Sequence, residues 1–133
     1  MATQVLNPFS FLVVDDDPLA CDLLGSTLTH MGARNILFAQ DAAAAQLLAQ
    51  QHRPDFILLD LYMPDVDGWA ALEHLRRAAP QAAVVVVTGS HFTADFMQSM
   101  DERVDGYCIK PVMPHLMAKV LTQARARRSS AQP

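Results

Sequence analysis

Residues 55–68 read DFILLDLYMPDVDG, and this stretch decides the fold. Phe56 to Leu59 is apolar at every position, without the alternation of a strand that has one wet face, so it reads as a strand buried on both faces. It runs straight into Asp60, and then into a loop carrying Met63-Pro64 and Asp67-Gly68. A carboxylate at the end of a buried strand is costly unless something pairs with it or uses it. Asp60 is therefore the first candidate for chemistry.

Outward from this stretch, the same pattern recurs. Phe11 to Asp15 (FLVVD) and Ala83 to Thr88 (AVVVVT) are again continuous apolar runs, and Ile36 to Ala39 and Tyr107 to Ile109 are shorter strand candidates. Helical patterns fill the gaps. Asp17-Pro18 is an N-cap and first helical residue, with Leu19, Leu23, Leu24 and Leu28 at helical spacing and Gly32 as the stop. Asp41 caps an alanine-rich helix through about Gln50, with Leu47 and Leu48 expected against the core. Trp69, Leu72 and Leu75 mark a third helix that ends before Pro80. Phe92, Phe96 and Met100 place a fourth between Thr93 and Asp101, and Pro114 opens a last one to about Arg127. Strands alternating with helices five times imply an α/β, doubly wound (βα)5 domain, a parallel sheet with helices on both faces. The chain divides into a polar lead (1–8), one domain (9–127) and a polar tail or start of a linker (128–133).

Composition bounds the function. The 133 residues suffice for one core, and 51% hydrophobic with 18% charged residues describes a folded globule. A net charge of -4 gives no basic footprint for direct nucleic-acid binding. The N-terminus lacks a signal-peptide pattern and no apolar run would span a bilayer, so the expectation is a cytoplasmic protein without a membrane segment. Cys21 and Cys108 form no CxxC motif and read as reduced thiols. The histidines form no metal motif such as HExxH. Met97, Met100, Met113 and Met117 read as core or helix-face packing.

In a parallel sheet the strand ends collect on one edge, and here those ends carry the chemistry. They are Asp15-Asp16, Asp60, Thr88 and Lys110-Pro111. Two unit charges ~4 Å apart at an effective dielectric near 20 repel by roughly 4 kcal/mol, so three carboxylates together retain a proton or hold a divalent cation. Oxygen-only ligands suit Mg²⁺, or Mn²⁺, better than zinc. Lys110 adds a fixed positive charge, and Thr88 with the Gly89 N–H can donate to an anion. These groups fit a phosphoryl group in transit.

FLVVDDDP, DFILLDLYMPDVDG, VVVVTG and GYCIKP, in this order, resemble the receiver domain of two-component response regulators over about residues 9–127. The resemblance implies a flavodoxin-like sheet of order 2-1-3-4-5. It implies that Asp60 accepts a phosphoryl group from a histidine kinase or histidine phosphotransfer protein. Asp16, Asp60 and the Tyr62 carbonyl would bind Mg²⁺ directly, and Asp15 through a water. Lys110 would bridge acceptor and phosphoryl group, with a cis bond to Pro111. Thr88 and Tyr107 would switch, and Tyr62 and Ser90 would tune phosphoryl lifetime. An output domain or downstream protein would be controlled through the face of the fourth helix, fifth strand and fifth helix, with a phosphorylation-dependent dimer as one form of output. The domain is then a signalling module and not an enzyme.

Some positions depart from the family pattern. Gly89 stands where alanine is usual, Val112 replaces a frequent phenylalanine, and DERVDGY precedes the last strand without the usual small residues. Two competing readings stay open. One is a phosphatase with an aspartyl-phosphate intermediate, which usually carries a second acid two residues past the nucleophile, where this chain has Tyr62. The other is a pseudo-receiver that never takes phosphate, against which the complete set of acids, Thr88 and Lys110 argues.

Overall fold

All five expected strands form and run parallel. The computed structural model describes residue 6 and residues 8–63, 67–89, 98 and 103–131. β1 (Ser10–Val14), β2 (Asn35–Ala39), β3 (Phe56–Leu59), β4 (Ala83–Thr88) and β5 (Gly106–Ile109) make one sheet of order β2-β1-β3-β4-β5. The helices among the described residues are α1 (Pro18–His30), α2 (Ala42–His52), α3 (Gly68–Ala78) and α4 (Pro114–Ala131). The helix expected over 93–101, with Phe92, Phe96, Met97 and Met100, falls outside the described residues apart from Gln98.

Side chains alternate between two layers, as the pleat requires. Phe11, Val13, Phe56, Leu58, Val85 and Val87 face α1 and α4, where Cys21, Leu24, Leu28, Met117 and Leu121 meet them. Leu12, Val14, Ile57, Leu59, Val84 and Val86 face α2 and α3, with Ala45, Ala49, Leu72 and Leu75. Burial on both sides explains why these strands lack polar alternation. Phe11 and Phe56 stack at 5.1 Å between neighbouring strands. Each fully buried side chain of this size contributes about 1.5–3 kcal/mol.

The register sets the site. Val14 pairs with Leu59, so Asp15 and Asp60 emerge side by side, and Thr88 pairs with Ile109, so Lys110 emerges just beyond it.

Several expectations need correction. Leu19 and Leu23 of α1 are exposed, and the buried face is Cys21, Leu24, Gly25 and Leu28. In α2, Ala45 and Ala49 are fully buried, Leu48 only partly, and Leu47 is exposed. In both helices small residues face the neighbouring strands, because they let the helix come close. At Gly25 an added Cβ would lie 2.6 Å from Cζ of Phe38 on β2. The last helix runs past Arg127 to Ala131. The polar lead contains a core residue, since Leu6 is buried and its carbonyl accepts the Phe9 N–H at 3.0 Å.

Aspartates cap three helices, Asp17 accepting from Leu19 N–H, Asp41 from Ala44 N–H and Asp67 from Trp69 and Ala70 N–H. Gly68 begins α3 directly against the β3 exit, where an added Cβ would lie 2.4 Å from the Leu61 carbonyl oxygen. At the opposite end of the sheet two more aspartates precede strands. Asp55 Oδ2 accepts the Ser10 N–H at 2.9 Å, and Asp105 Oδ2 accepts the Val84 N–H at 2.8 Å. Asp105 is buried and also faces Arg76 at 3.4 Å, while Arg76 donates to the Arg103 carbonyl at 2.9 Å. Arg103 in turn lies 3.9 Å over the Trp69 ring.

Candidate functional site

Asp15, Asp16 and Asp60 bring one carboxylate oxygen each to within 4.8 Å of one another. Asp15 and Asp60 are 4% and 8% exposed, whereas Asp16 is open to solvent. Lys110 Nζ reaches across this edge, donating to Asp15 Oδ2 at 2.6 Å and to Asp60 Oδ2 at 3.4 Å. Burial works against the Lys110 charge, but the hydrogen bond it donates to Asp15 and the charge of Asp60 outweigh it and hold its pKa above the ordinary lysine value. One ammonium against three carboxylates leaves an excess of negative charge among oxygen donors. That donor set, with no sulfur or nitrogen ligand, fits a hard divalent cation such as Mg²⁺.

The second carboxylate oxygens of Asp15 and Asp60 are held by backbone. Asp60 Oδ1 accepts the Tyr62 N–H at 2.9 Å, and Asp15 Oδ1 accepts the Asp17 N–H at 3.0 Å. The Asp15 backbone also engages at both ends, its N–H donating to Ala39 O at 3.1 Å and its carbonyl accepting from Cys21 Sγ at 3.3 Å. Burial and then the charge of Asp15 push the Cys21 thiol pKa up. Burial alone pushes Cys108 up to about 11. Both thiols are free, as the sequence predicts.

Thr88 ends β4 fully buried, and its Oγ1 has no hydrogen-bond partner among the described residues. A buried hydroxyl without a partner is costly, which sets Thr88 apart from the satisfied polar groups around it. The Lys110 N–H donates to Thr88 O at 2.8 Å, tying the lysine to the threonine through the backbone. Around Gly89 an added Cβ would meet nothing within 4 Å among the described residues. The Lys110-Pro111 bond is cis. Tyr62 is exposed and Tyr107 partly buried, the latter paired in register with Val86. Ser90 lies outside the described residues.

Asp15, Asp16, Asp60 and Lys110 thus converge, with Thr88 and Gly89 following at the end of β4. Sequence reading missed Cys21 and Gly68, which touch the backbone of Asp15 and Leu61. Only the position of Gly68 after the cap Asp67 carried a signal.

Beside Lys110 lies a mainly apolar cavity of about 430 Å³, lined by Ala20, Leu23, Leu24, Val87 and Val112. Of the two exposed leucines of α1, Leu23 lines it. No helix among the described residues is long and apolar enough to cross a membrane.

A doubly wound parallel sheet of order 2-1-3-4-5, with acids and a lysine at its C-terminal edge, is the flavodoxin-like architecture of receiver domains. The family model for the response regulator receiver domain matches residues 11–122, and the chain belongs to that family, the receiver domains of two-component systems. The chain is 35% identical over 125 residues to the DNA-binding dual master transcriptional regulator RpaA of Synechocystis, covering 92% of this chain and 51% of that protein. It is 32% identical over 110 residues to the regulator of RpoS of Escherichia coli K12, covering 83% and 32%. The chain therefore spans about half or less of the length of these relatives. Among solved structures, a response regulator receiver domain protein from Clostridium thermocellum superposes with a TM-score of 0.76 at 21% identity, covering 93% of this chain and 99% of that one. The receiver domain of the Arabidopsis thaliana histidine kinase CKI1, complexed with Mg²⁺ and BeF3-, gives a TM-score of 0.80 at 18% identity, covering 94% and 95%.

Proposed function

We propose that Asp60 accepts a phosphoryl group from the phosphohistidine of a kinase or phosphotransfer protein, and that the acyl phosphate shifts the domain between two states. The observation that carries this reading is the pairing of a buried, lysine-bridged acid cluster with an unpartnered Thr88 hydroxyl on the adjacent strand end.

An Asp60 carboxylate oxygen attacks phosphorus as the P–N bond to the donor's imidazole breaks, giving an acyl phosphate and a free histidine. Asp15, Asp16, Asp60 and the Tyr62 carbonyl would hold Mg²⁺, which when bound neutralises negative charge on the phosphoryl oxygens. Lys110, already 3.4 Å from Asp60, stabilises the charge that reaches the acceptor. The Thr88 hydroxyl and the Gly89 N–H donate to the phosphoryl oxygens, and that new bond satisfies Thr88. Tyr107 follows inward as Thr88 moves. Tyr62 stands exposed beside the acyl phosphate and slows its hydrolysis; Ser90 acts with it. The apolar cavity next to Lys110 receives the phosphodonor, and the β5 face passes the change to an output domain or partner. No turnover is involved beyond self-catalysed phosphorylation and dephosphorylation.

The test is intact mass after incubation with acetyl phosphate and Mg²⁺, comparing wild type with Asp60→Asn. The expected result is a single phosphoryl adduct on wild type alone. Equal labelling of both proteins, or none on wild type together with no response to beryllofluoride, overturns the reading.

A further inference from the structure

Cys21 sits in the first turn of α1, six residues past Asp15, and its side chain turns back to the strand end. Its Sγ donates to the Asp15 carbonyl at 3.3 Å in the buried core. All four polar handles of Asp15 are thereby engaged by different parts of the fold: Ala39 of β2 at the N–H, Lys110 at one carboxylate oxygen, the Asp17 N–H at the other, and Cys21 at the carbonyl. Three of these are backbone groups or a lysine that also serves Asp60. The thiol is the side chain through which α1 itself grips the acid loop.

We propose that Cys21 is a positioning residue: its thiol fixes the Asp15 peptide, and so the spacing of the acid pair, for the divalent cation and the phosphoryl transfer. The inference rests on the reading of Asp15 and Asp16 as cation ligands. Its physical basis is the cost of the alternative. Without a donor at position 21 the Asp15 carbonyl faces an apolar core with no partner, and the loop relieves this by turning toward solvent. That rotation carries the Asp15 carboxylate away from Lys110 and lengthens the bond from the Asp17 N–H.

The fold offers a clean distinction between this role and simple core filling. Cys21 packs with Leu24, Leu28 and Met117 in the layer under α1. If it only fills space, Cys21→Val preserves or improves the protein and Cys21→Ser, which buries a more polar atom, is the worse variant. If it positions Asp15, the order at the site reverses.

The experiment measures amide hydrogen exchange by NMR in the metal-free protein, Mg²⁺ titration by the fluorescence of the single tryptophan, and acetyl phosphate labelling, for wild type, Cys21→Ser, Cys21→Ala and Cys21→Val. The expected result is that the Asp17 amide exchanges about threefold to fivefold faster in the alanine and valine variants, the worth of one modest hydrogen bond, while Val85 in β4 is unchanged. Mg²⁺ affinity falls by a similar factor in those two variants, and serine restores both. Asp17 protection and Mg²⁺ affinity that are the same in all four proteins, or that follow side-chain volume with valine best, overturn the proposal while leaving wild-type labelling intact. Wild type that neither binds Mg²⁺ nor takes label overturns the function proposed above and this inference with it.

Discussion

Substituting Gly68 by alanine tests how closely the start of α3 is fitted to the exit of β3. The added Cβ would lie 2.4 Å from the Leu61 carbonyl oxygen, 2.9 Å from its Cα and 3.0 Å from its carbonyl carbon. All three are backbone atoms, so no side-chain rotation relieves the contact. Either the first turn of α3 or the Leu61 peptide must move by about 1 Å to reach ordinary van der Waals separation. Overpacking of this kind costs about 1–3 kcal/mol, against which alanine returns at most ~1 kcal/mol of helix propensity, less in a first turn. The expected net loss is about 1–2 kcal/mol, read as a lower urea midpoint with an unchanged m-value. Leu61 follows Asp60 directly, and the Tyr62 N–H binds Asp60 Oδ1, so the displacement reaches the Asp60 carboxylate. Acetyl phosphate labelling of Gly68→Ala is therefore expected to slow even at temperatures where the variant is fully folded. A variant as stable as wild type, with the same labelling rate, refutes the reasoning.

Asp105→Ala leaves the Val84 N–H without its acceptor in a buried strand, and a loss of about 2–3 kcal/mol in urea denaturation is expected; a change under 0.5 kcal/mol would show that the carboxylate is dispensable. Cys108 supplies a pH prediction. Its folded pKa of about 11 lies above the ordinary thiol value of 9.0, so the unfolded chain loses the proton first. The associated stability is whole below pH 9, is lost as pH rises toward 11 at up to about 1.4 kcal/mol per pH unit, and should be missing from the pH profile of Cys108→Val. Tyr62→Asn opens the face beside Asp60 to water, and faster decay of the phosphoryl label than in wild type is the expected outcome, measured by mass after removal of the donor. An unchanged or longer label lifetime counts against shielding by Tyr62.

The strands were legible because double-sided burial forces uninterrupted apolar runs, as at Phe56 to Leu59. The convergence of Asp15, Asp60 and Lys110 was legible because parallel strands must present their ends together. The helix faces were not. Counting leucines in α1 and α2 selected Leu19, Leu23 and Leu47, which are exposed, because close packing on a sheet favours Cys21, Gly25, Ala45 and Ala49 instead. A small residue at an interface carries little hydropathy, so periodicity analysis underweights it. Contacts such as Cys21 to Asp15, across the turn from β1 into α1, and Asp105 to Val84, between two strands, depend on side-chain direction, which local patterns do not contain.

The aspartates before β3 and β5 have a further consequence. Each binds an amide at the start of another strand, Ser10 of β1 or Val84 of β4, so each acts as a gauge of alignment: sliding β5 by one residue would separate Asp105 from Val84 N–H and bury that amide unpaired. The same slide would carry Lys110, which directly follows β5, about 3.3 Å along the sheet axis. Its 2.6 Å contact with Asp15 could not survive that displacement. The spacing of charges at one edge of the sheet is thus calibrated at the other, by carboxylates that stand apart from the cluster of Asp15, Asp16 and Asp60.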